Sequence, residues 1–362
     1  METDHLIAQV KRIVADLRAP RPAIYWTDFL LSLIMGGAGF YGAWVAPLLS
    51  LRQGFCFVVS GLAFYRAAVF THELVHLPRE QLGFRAFRVS WNLLFGIPFL
   101  MPSFTYWTHL DHHRATHFGT PLDGEYLPFA SSSPSRILRY LAANFLVPLL
   151  AIIRFSVLTP LTWFSPSLRD AIHRHASSLV IAPHYVRREP TPDELRIIRW
   201  QELGCFAWCL LVAVASPVLF HGWVVALLLL LQAYATAVFV LLLNALRTLA
   251  AHRYRSDGRP MHFLAQVLDS VNYPHRAWLS ELWGPVGLRY HALHHLQPAL
   301  PYHALPEAHR RLLRELPEDS PYHSTIENSL TSALMGLWHR ARDFTRGRKG
   351  SNGRNGSAGK ER

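Results

Sequence analysis

The stretch WVVALLLLLQAYATAVFVLLL, Trp223–Leu243, decides the fold. It carries no charged side chain over the roughly 20 residues that a helix needs to cross about 30 Å of hydrocarbon. Cys205–Phe220 lies just before it, separated only by His221 and Gly222, so the two read as a helical hairpin. Nearer the N terminus, Trp26–Leu49 (WTDFLLSLIMGGAGFYGAWVAPLL) and Gly54–Thr71 form a second pair joined by Ser50–Gln53. The whole chain has 362 residues, 51% of them hydrophobic, and a mean hydropathy of +0.13. That composition suits a polytopic membrane protein better than a soluble enzyme. The expected spans are therefore about 26–49, 54–71, 205–220 and 223–243.

Charge sets the orientation. Of 36 lysines and arginines, only Arg52 lies in the two short outer connections. Lys11, Arg12, Arg18 and Arg21 precede the first span, Arg66 lies inside the second, and the remainder crowd Leu77–Gln201 and the part after Leu243. The positive-inside rule puts both termini and the middle loop in the cytoplasm of a cell inner-membrane protein. Residues 1–21 are polar, without the apolar core of a cleavable signal. A net charge of +12 beside membrane spans points to anionic headgroups rather than nucleic acid. Val89–Ser103 is apolar but too short to span and holds Pro98 and Pro102, so it reads as interfacial or re-entrant. Ile137–Phe164 is long enough to cross, but Arg139, Arg154 and Pro160 interrupt it. It reads as an amphipathic interfacial helix, with a re-entrant pair as the alternative. Beyond a cytosolic N-terminal segment (1–25) and a membrane domain (26–311), a helical extension (312–344) and a disordered basic tail (345–362) are expected.

Three histidine clusters carry the chemistry: His72 and His76 in HELVH, His109, His112 and His113 in HLDHH, and His291, His294 and His295 in HALHH. Imidazole is the commonest protein ligand for transition metals. One tetrahedral site takes three or four ligands, so eight suit two ions. Residues at i and i+3 or i+4 share a helix face, whereas His112 and His113 diverge by about 100°. An HxxHH turn can thus serve two metals. All three clusters fall on the cytoplasmic side in this topology. Thiolate-free imidazole ligation at a membrane favours a redox-active iron pair using O2 on unactivated C–H bonds of a lipid. Cys56, Cys205 and Cys209 lie in apolar spans and read as core.

HxxxH, then HxxHH about thirty residues on, then a distant HxxHH beyond a second hairpin, resembles the integral-membrane fatty acid desaturases and their hydroxylase relatives. The likeness covers Trp26 to Arg311, and HHRATHFGTPLDGEY and PVGLRYHALHHLQPALPYH are similar to bacterial members. It implies an all-α integral membrane fold: four transmembrane helices as two hairpins, interfacial helices and a cytosolic helical cap carrying the clusters. It also implies a non-haem di-iron centre, an acyl tunnel and electrons from a separate donor. The acyl-CoA branch has a further histidine in NxxxH after the fourth span. His252 in TLAAH takes that place, with Thr248 where the asparagine stands, leaving Asn244 and Arg247 as nearby polar substitutes.

The resulting expectation is an oxygen-dependent fatty acyl desaturase with His72, His76, His109, His112, His113, His252, His291, His294 and His295 on two irons. Its substrate would be a membrane lipid or carrier-bound acyl chain. Its electron donor would be of ferredoxin, rubredoxin or cytochrome b5 type, since the chain has no such carrier pattern of its own. A hydroxylase or ketolase on the same scaffold, acting on a lipid, alkane or terpenoid, is the alternative. HELVH also matches HExxH, and TPLDGEY holds an LDG triplet, so an intramembrane zinc protease is a remote alternative. It would have no use for two HxxHH clusters. A metal transporter would place its ligands near the bilayer midplane.

Other residues have lesser expectations. Asp111, Asp123 and Glu125 could orient imidazoles, but each alone reads as a solvated loop carboxylate. His117 reads equally as a supporting donor or a surface residue. Arg66, inside the second span, reads as snorkelling to the interface. His303 and His309 read as surface residues. Trp107, Trp278, Trp283 and Tyr290 suit an acyl path or interfacial anchoring.

Overall fold

The computed structural model describes residues 2–219 and 222–357 and is all-helical, with only isolated bridges between extended residues. Among the described residues, four helices are long and apolar enough to cross a membrane: Pro22–Val45, Leu51–His76, Pro192–Leu219 and Trp223–Ala251. They cover the four expected spans: the first is shifted four residues towards the N terminus, ending at Val45 rather than 49, and the other three are extended at one or both ends. The first helix stops at Ala46, whose extended backbone is imposed by the following Pro47. Ser50 then caps the second by accepting from the Gln53 N–H at 3.1 Å. The third begins well before Cys205 because TPDE, Thr191–Glu194, forms a reciprocal capping box. Glu194 N–H donates to Thr191 Oγ1 at 3.3 Å, and Thr191 N–H to Glu194 Oε2 at 3.0 Å.

The first hairpin is closed by small residues. A Cβ on Gly39 would meet Ser60 N at 2.8 Å and Cys56 O at 2.9 Å, so two backbones touch there. Ser60 Oγ also donates to Gly36 O at 2.9 Å. Leu31, Ile34, Leu211, Val224 and Leu231 are exposed, as lipid-facing positions should be. At the opposite end Tyr25, Phe29, Phe70, Phe84, Phe87 and Trp91 pack into an aromatic core. This core seats the last turn of the second span against the loop that follows.

Ile137–Phe164 forms two helices, Pro134–Ala143 and Val147–Leu161, bent by 47°. The chain returns after them, and His112 before the pair and His252 after the fourth long helix lie 3.2 Å apart at Nε2. Along the bent run, Leu146, Leu150, Ile153 and Trp163 remain exposed. Arg154, which interrupts the run, turns inward and pairs with Glu202 of the third span and Thr159 Oγ1.

After the fourth span the chain builds a cap. The N-terminal helix Glu2–Ile13 packs Val10 and Ile13 against Leu312 and Leu316, beside the helix Leu305–Glu315. The last helix, Leu330–Ser357, buries Leu337 and Ala341 and continues into 345–357, where composition predicted disorder. Once a packed turn exists, each further residue costs less than nucleation did. Residues 358–362 of that expected tail lie outside the described residues.

Candidate metal centre

The second span delivers His72 and His76 from its last turn. The second cluster forms a single turn, His109–His112, with His113 at its C-cap. His252 caps the fourth span in extended conformation and pairs across an isolated bridge with Ser270. The third cluster lies in the short helix His291–Leu296. That helix is fixed by Asn272, whose side chain accepts from Leu293 N–H at 3.1 Å and donates to Thr325 Oγ1 at 2.9 Å.

All nine histidines converge, in two groups whose ligand atoms lie within 4.8 Å of one another. One group is His72, His76, His109, His113 and His294, and the other is His112, His252, His291 and His295. The HxxHH turns divide as their helical geometry requires. His109 and His113, one turn apart, go to one group and His112 to the other. His291 and His295 stay together while His294 crosses over.

The nitrogen geometry fits a bound cation. His112 Nε2 and His291 Nε2 face His252 Nε2 at 3.2 and 3.0 Å. His76 Nε2 and His113 Nε2 face His294 Nε2 at 3.0 and 3.2 Å. Carboxylates hold the opposite edges: His112 Nδ1 is 2.8 Å from Asp123 and His109 Nδ1 is 2.9 Å from Glu125. His252 Nδ1 meets Ser270 Oγ at 3.2 Å. A proton held at Nδ1 leaves a lone pair at Nε2. Facing lone pairs repel unless a cation lies between them. At metal–nitrogen distances of about 2.0–2.1 Å, ligands at right angles stand about 3 Å apart, as these do.

Electrostatics agree. Burial, helped by neighbouring imidazoles, holds His113, His291, His294 and His295 well below the usual imidazole pKa. Neutral imidazole is the ligating form. His112 differs: burial opposes its charge, yet Asp123 raises its pKa. A carboxylate that favours a proton on this ring equally favours a cation at Nε2.

Several sequence readings are corrected here. Asp123 is fully buried and Glu125 has a side chain only 18% exposed, so neither is a solvated loop carboxylate. Asp111 is buried as well, but it accepts from Tyr185 OH at 2.7 Å and pairs with Arg114 rather than with a clustered imidazole; His117 lies 3.8 Å from it, away from both groups. Arg66 does not snorkel. It makes two 2.6 Å bonds to Asp28 and one of 3.1 Å to Glu281, because partners on the first span and the cap satisfy it internally. His309 is buried and 2.7 Å from Tyr322 OH rather than at the surface, and the half-buried His303 accepts the Arg21 N–H at 3.2 Å. Trp283 and Tyr290 are buried, while Trp278 is exposed as an anchor would be. Cys56, Cys205 and Cys209 are free thiols outside both groups. Glu73 accepts from Tyr25 OH at 2.6 Å and Tyr302 N–H at 3.1 Å. The protease reading needs that carboxylate to activate a metal-bound water, but it is committed to holding the second span to the cap.

The chain's sequence matches the fatty acid desaturase family over residues 50–326. It is also 39% identical over 344 residues to a ceramide hydroxylase of Caulobacter vibrioides (strain NA1000 / CB15N), covering 93% of this chain and 94% of that protein.

Proposed function

We propose that this chain, which belongs to the fatty acid desaturase family, is an oxygen-dependent hydroxylase of a ceramide-like lipid. Its nine clustered histidines hold two irons. The observation that carries the reading is the array of Nε2 atoms at 3.0–3.2 Å, backed by Asp123 and Glu125. The full-length relative is a hydroxylase, which favours this reading over desaturation, the reaction that the histidine pattern first suggested.

In hydroxylation a C–H bond becomes C–OH. One atom of O2 enters the lipid and the other leaves as water, with two electrons and two protons supplied. Bound iron supplies the dioxygen chemistry. The chain's own residues orient and seclude it. Asp123 and Glu125 keep the ring protons on Nδ1 of His112 and His109. Phe118, fully buried, packs 5.0 Å from His112 and 5.5 Å from both His252 and His295, and so excludes water from that group. The electrons come from a separate ferredoxin, rubredoxin or cytochrome b5 type protein. With arginine crowded on the side where the histidines gather, that side is cytoplasmic.

Expression in a host supplied with ceramide, followed by mass spectrometry of its lipids and metal analysis of the purified protein, tests the reading. Gain of one oxygen by the ceramide, with iron in the protein, is expected. Loss of two hydrogens instead would return the activity to desaturation. An active protein holding zinc and no iron would end the di-iron reading.

A further inference from the structure

The fourth span carries one arginine, Arg247, and it is 92% removed from solvent. The other buried arginines find acceptors: Arg154 and Arg289 face Glu202 and Glu281, and Arg187 donates to the Ser177 and Phe104 carbonyls. Arg247 has no carboxylate partner among the described residues, and its Nε is buried without any acceptor. An uncompensated buried cation is costly, and in a membrane helix an ionisable residue of this kind marks a functional site.

Its surroundings show where it points. Arg247 precedes His252 by five residues, about 7.5 Å of helix rise. The second span, which delivers His72 and His76 from its last turn, packs against this helix. Asn244, one turn earlier on the same face, is exposed, 3.5 Å from Tyr65 OH. Polar side chains on a spanning helix face an internal cavity rather than lipid. The cytoplasmic half of the fourth span thus presents Asn244 and Arg247 on one face, and the Arg247 Nε is buried there without an acceptor.

We propose that Arg247 binds the carbonyl oxygen of the substrate's head linkage, the amide of a ceramide or the ester of another acyl lipid. It thereby fixes which carbon meets the metal centre. The amide form rests on the hydroxylase reading above. The short rise from Arg247 to His252 adds a regiochemical consequence: the oxidised carbon lies within a few bonds of the linkage, not in mid-chain.

The test is a two-by-two cycle on iron-loaded enzyme in nanodiscs. Lipid binding is read by native mass spectrometry and turnover by product analysis. The probes are a ceramide, an analogue with the amide replaced by two methylenes, and an ester-linked acyl lipid. Wild type should prefer the carbonyl-bearing lipid by about 10- to 100-fold, the range for a hydrogen bond to a charged group. In Arg247→Met the preference should fall below about threefold, with iron content unchanged. Arg247→Lys, which keeps charge but loses the planar fork, should fall between and serves if the Met variant does not fold. The inference is overturned if Arg247→Met or Arg247→Lys keeps the wild-type preference, if either loses iron, or if the product hydroxyl lies in mid-chain. Preference for the ester over the amide would keep Arg247 in its role and remove the ceramide reading. Binding of neither by wild type would remove both.

Discussion

Asp123→Asn should strip one metal from this protein and leave the other. The carboxylate accepts three bonds: His112 Nδ1 at 2.8 Å, Gly119 N–H at 3.1 Å and Glu125 N–H at 2.9 Å. The first two fall on Oδ2 and the third on Oδ1. An asparagine of the same shape has one acceptor oxygen. Turned towards His112, it sets its NH2 against the Glu125 N–H. Turned the other way, it faces two donors. Either way a buried donor is stranded, at about 1–3 kcal/mol. His112 also loses the negative charge that anchors its Nδ1 proton. Removing such a supporting partner typically lowers metal affinity 10- to 100-fold, about 1.4–2.7 kcal/mol. His112 belongs to the four-histidine group alone, so the loss should be confined to that site. Under a graded chelator challenge, iron per chain should fall from about two to about one at concentrations that wild type resists. Glu125→Gln, acting on His109, should weaken the five-histidine site instead. Mössbauer spectroscopy of the two variants should then show different residual irons. Equal loss of both irons in each variant, or wild-type retention in both, would refute the assignment of these carboxylates to separate sites.

Three further outcomes are expected. Glu73→Gln should keep activity, because glutamine still offers an oxygen to Tyr25 and Tyr302, while His72→Ala should abolish it; turnover of the lipid substrate checks both. Arg66→Met should lower stability in detergent by about 2 kcal/mol, since it removes both guanidinium bonds from Asp28 and leaves that carboxylate only Tyr302 OH, and Arg66→Lys should recover only part because one ammonium cannot reproduce the paired bonds to Asp28. Thermal unfolding measures the difference. Burial pushes His309 down to about 4, below the unfolded value of about 6.5. Its contribution is therefore complete above about pH 6.5 and lost as pH falls towards 4, at most about 3 kcal/mol. His309→Gln, which keeps a partner for Tyr322, should flatten that limb of the stability–pH curve.

The histidine-rich face was legible because its signals are local. HxxHH places adjacent histidines about 100° apart on any helical turn, so the division of His112 from His113 needed no tertiary knowledge. The spans were legible for the same reason, as apolar length is read residue by residue. Their ends were less so. The third helix begins at Pro192 because of the TPDE capping box, a signal present in the sequence but set apart from the apolar run. The supporting charges were hidden by a general ambiguity. Asp123 in a polar loop and Arg66 in an apolar span each look unfavourable inside. What makes them stable is a partner far along the chain, such as Asp28 for Arg66, and composition contains no record of that distance. Arg247 was in view only as a substitute for a missing asparagine. Its isolation from any acceptor is a three-dimensional fact.

The two histidine groups are not independent, and the reason lies in the cap. The helix His291–Leu296 gives His294 to the five-histidine group and His291 with His295 to the other. The loop turn divides likewise, His109 and His113 from His112, while the second span and the end of the fourth each serve one group. The position of one six-residue helix therefore sets both sites at once. A helix that short has little stability of its own. It is held from outside by Asn272, fully buried, which bonds Leu293 on one side and Thr325 on the other. The N-terminal helix in turn packs on Leu305–Glu315 behind it, where Arg311 pairs with Asp16 at 2.7 Å. The geometry of a membrane-end metal centre thus depends on residues at both ends of the chain. Loosening the cap should disturb the two metals together, whereas loosening Asp123 or Glu125 should disturb them one at a time.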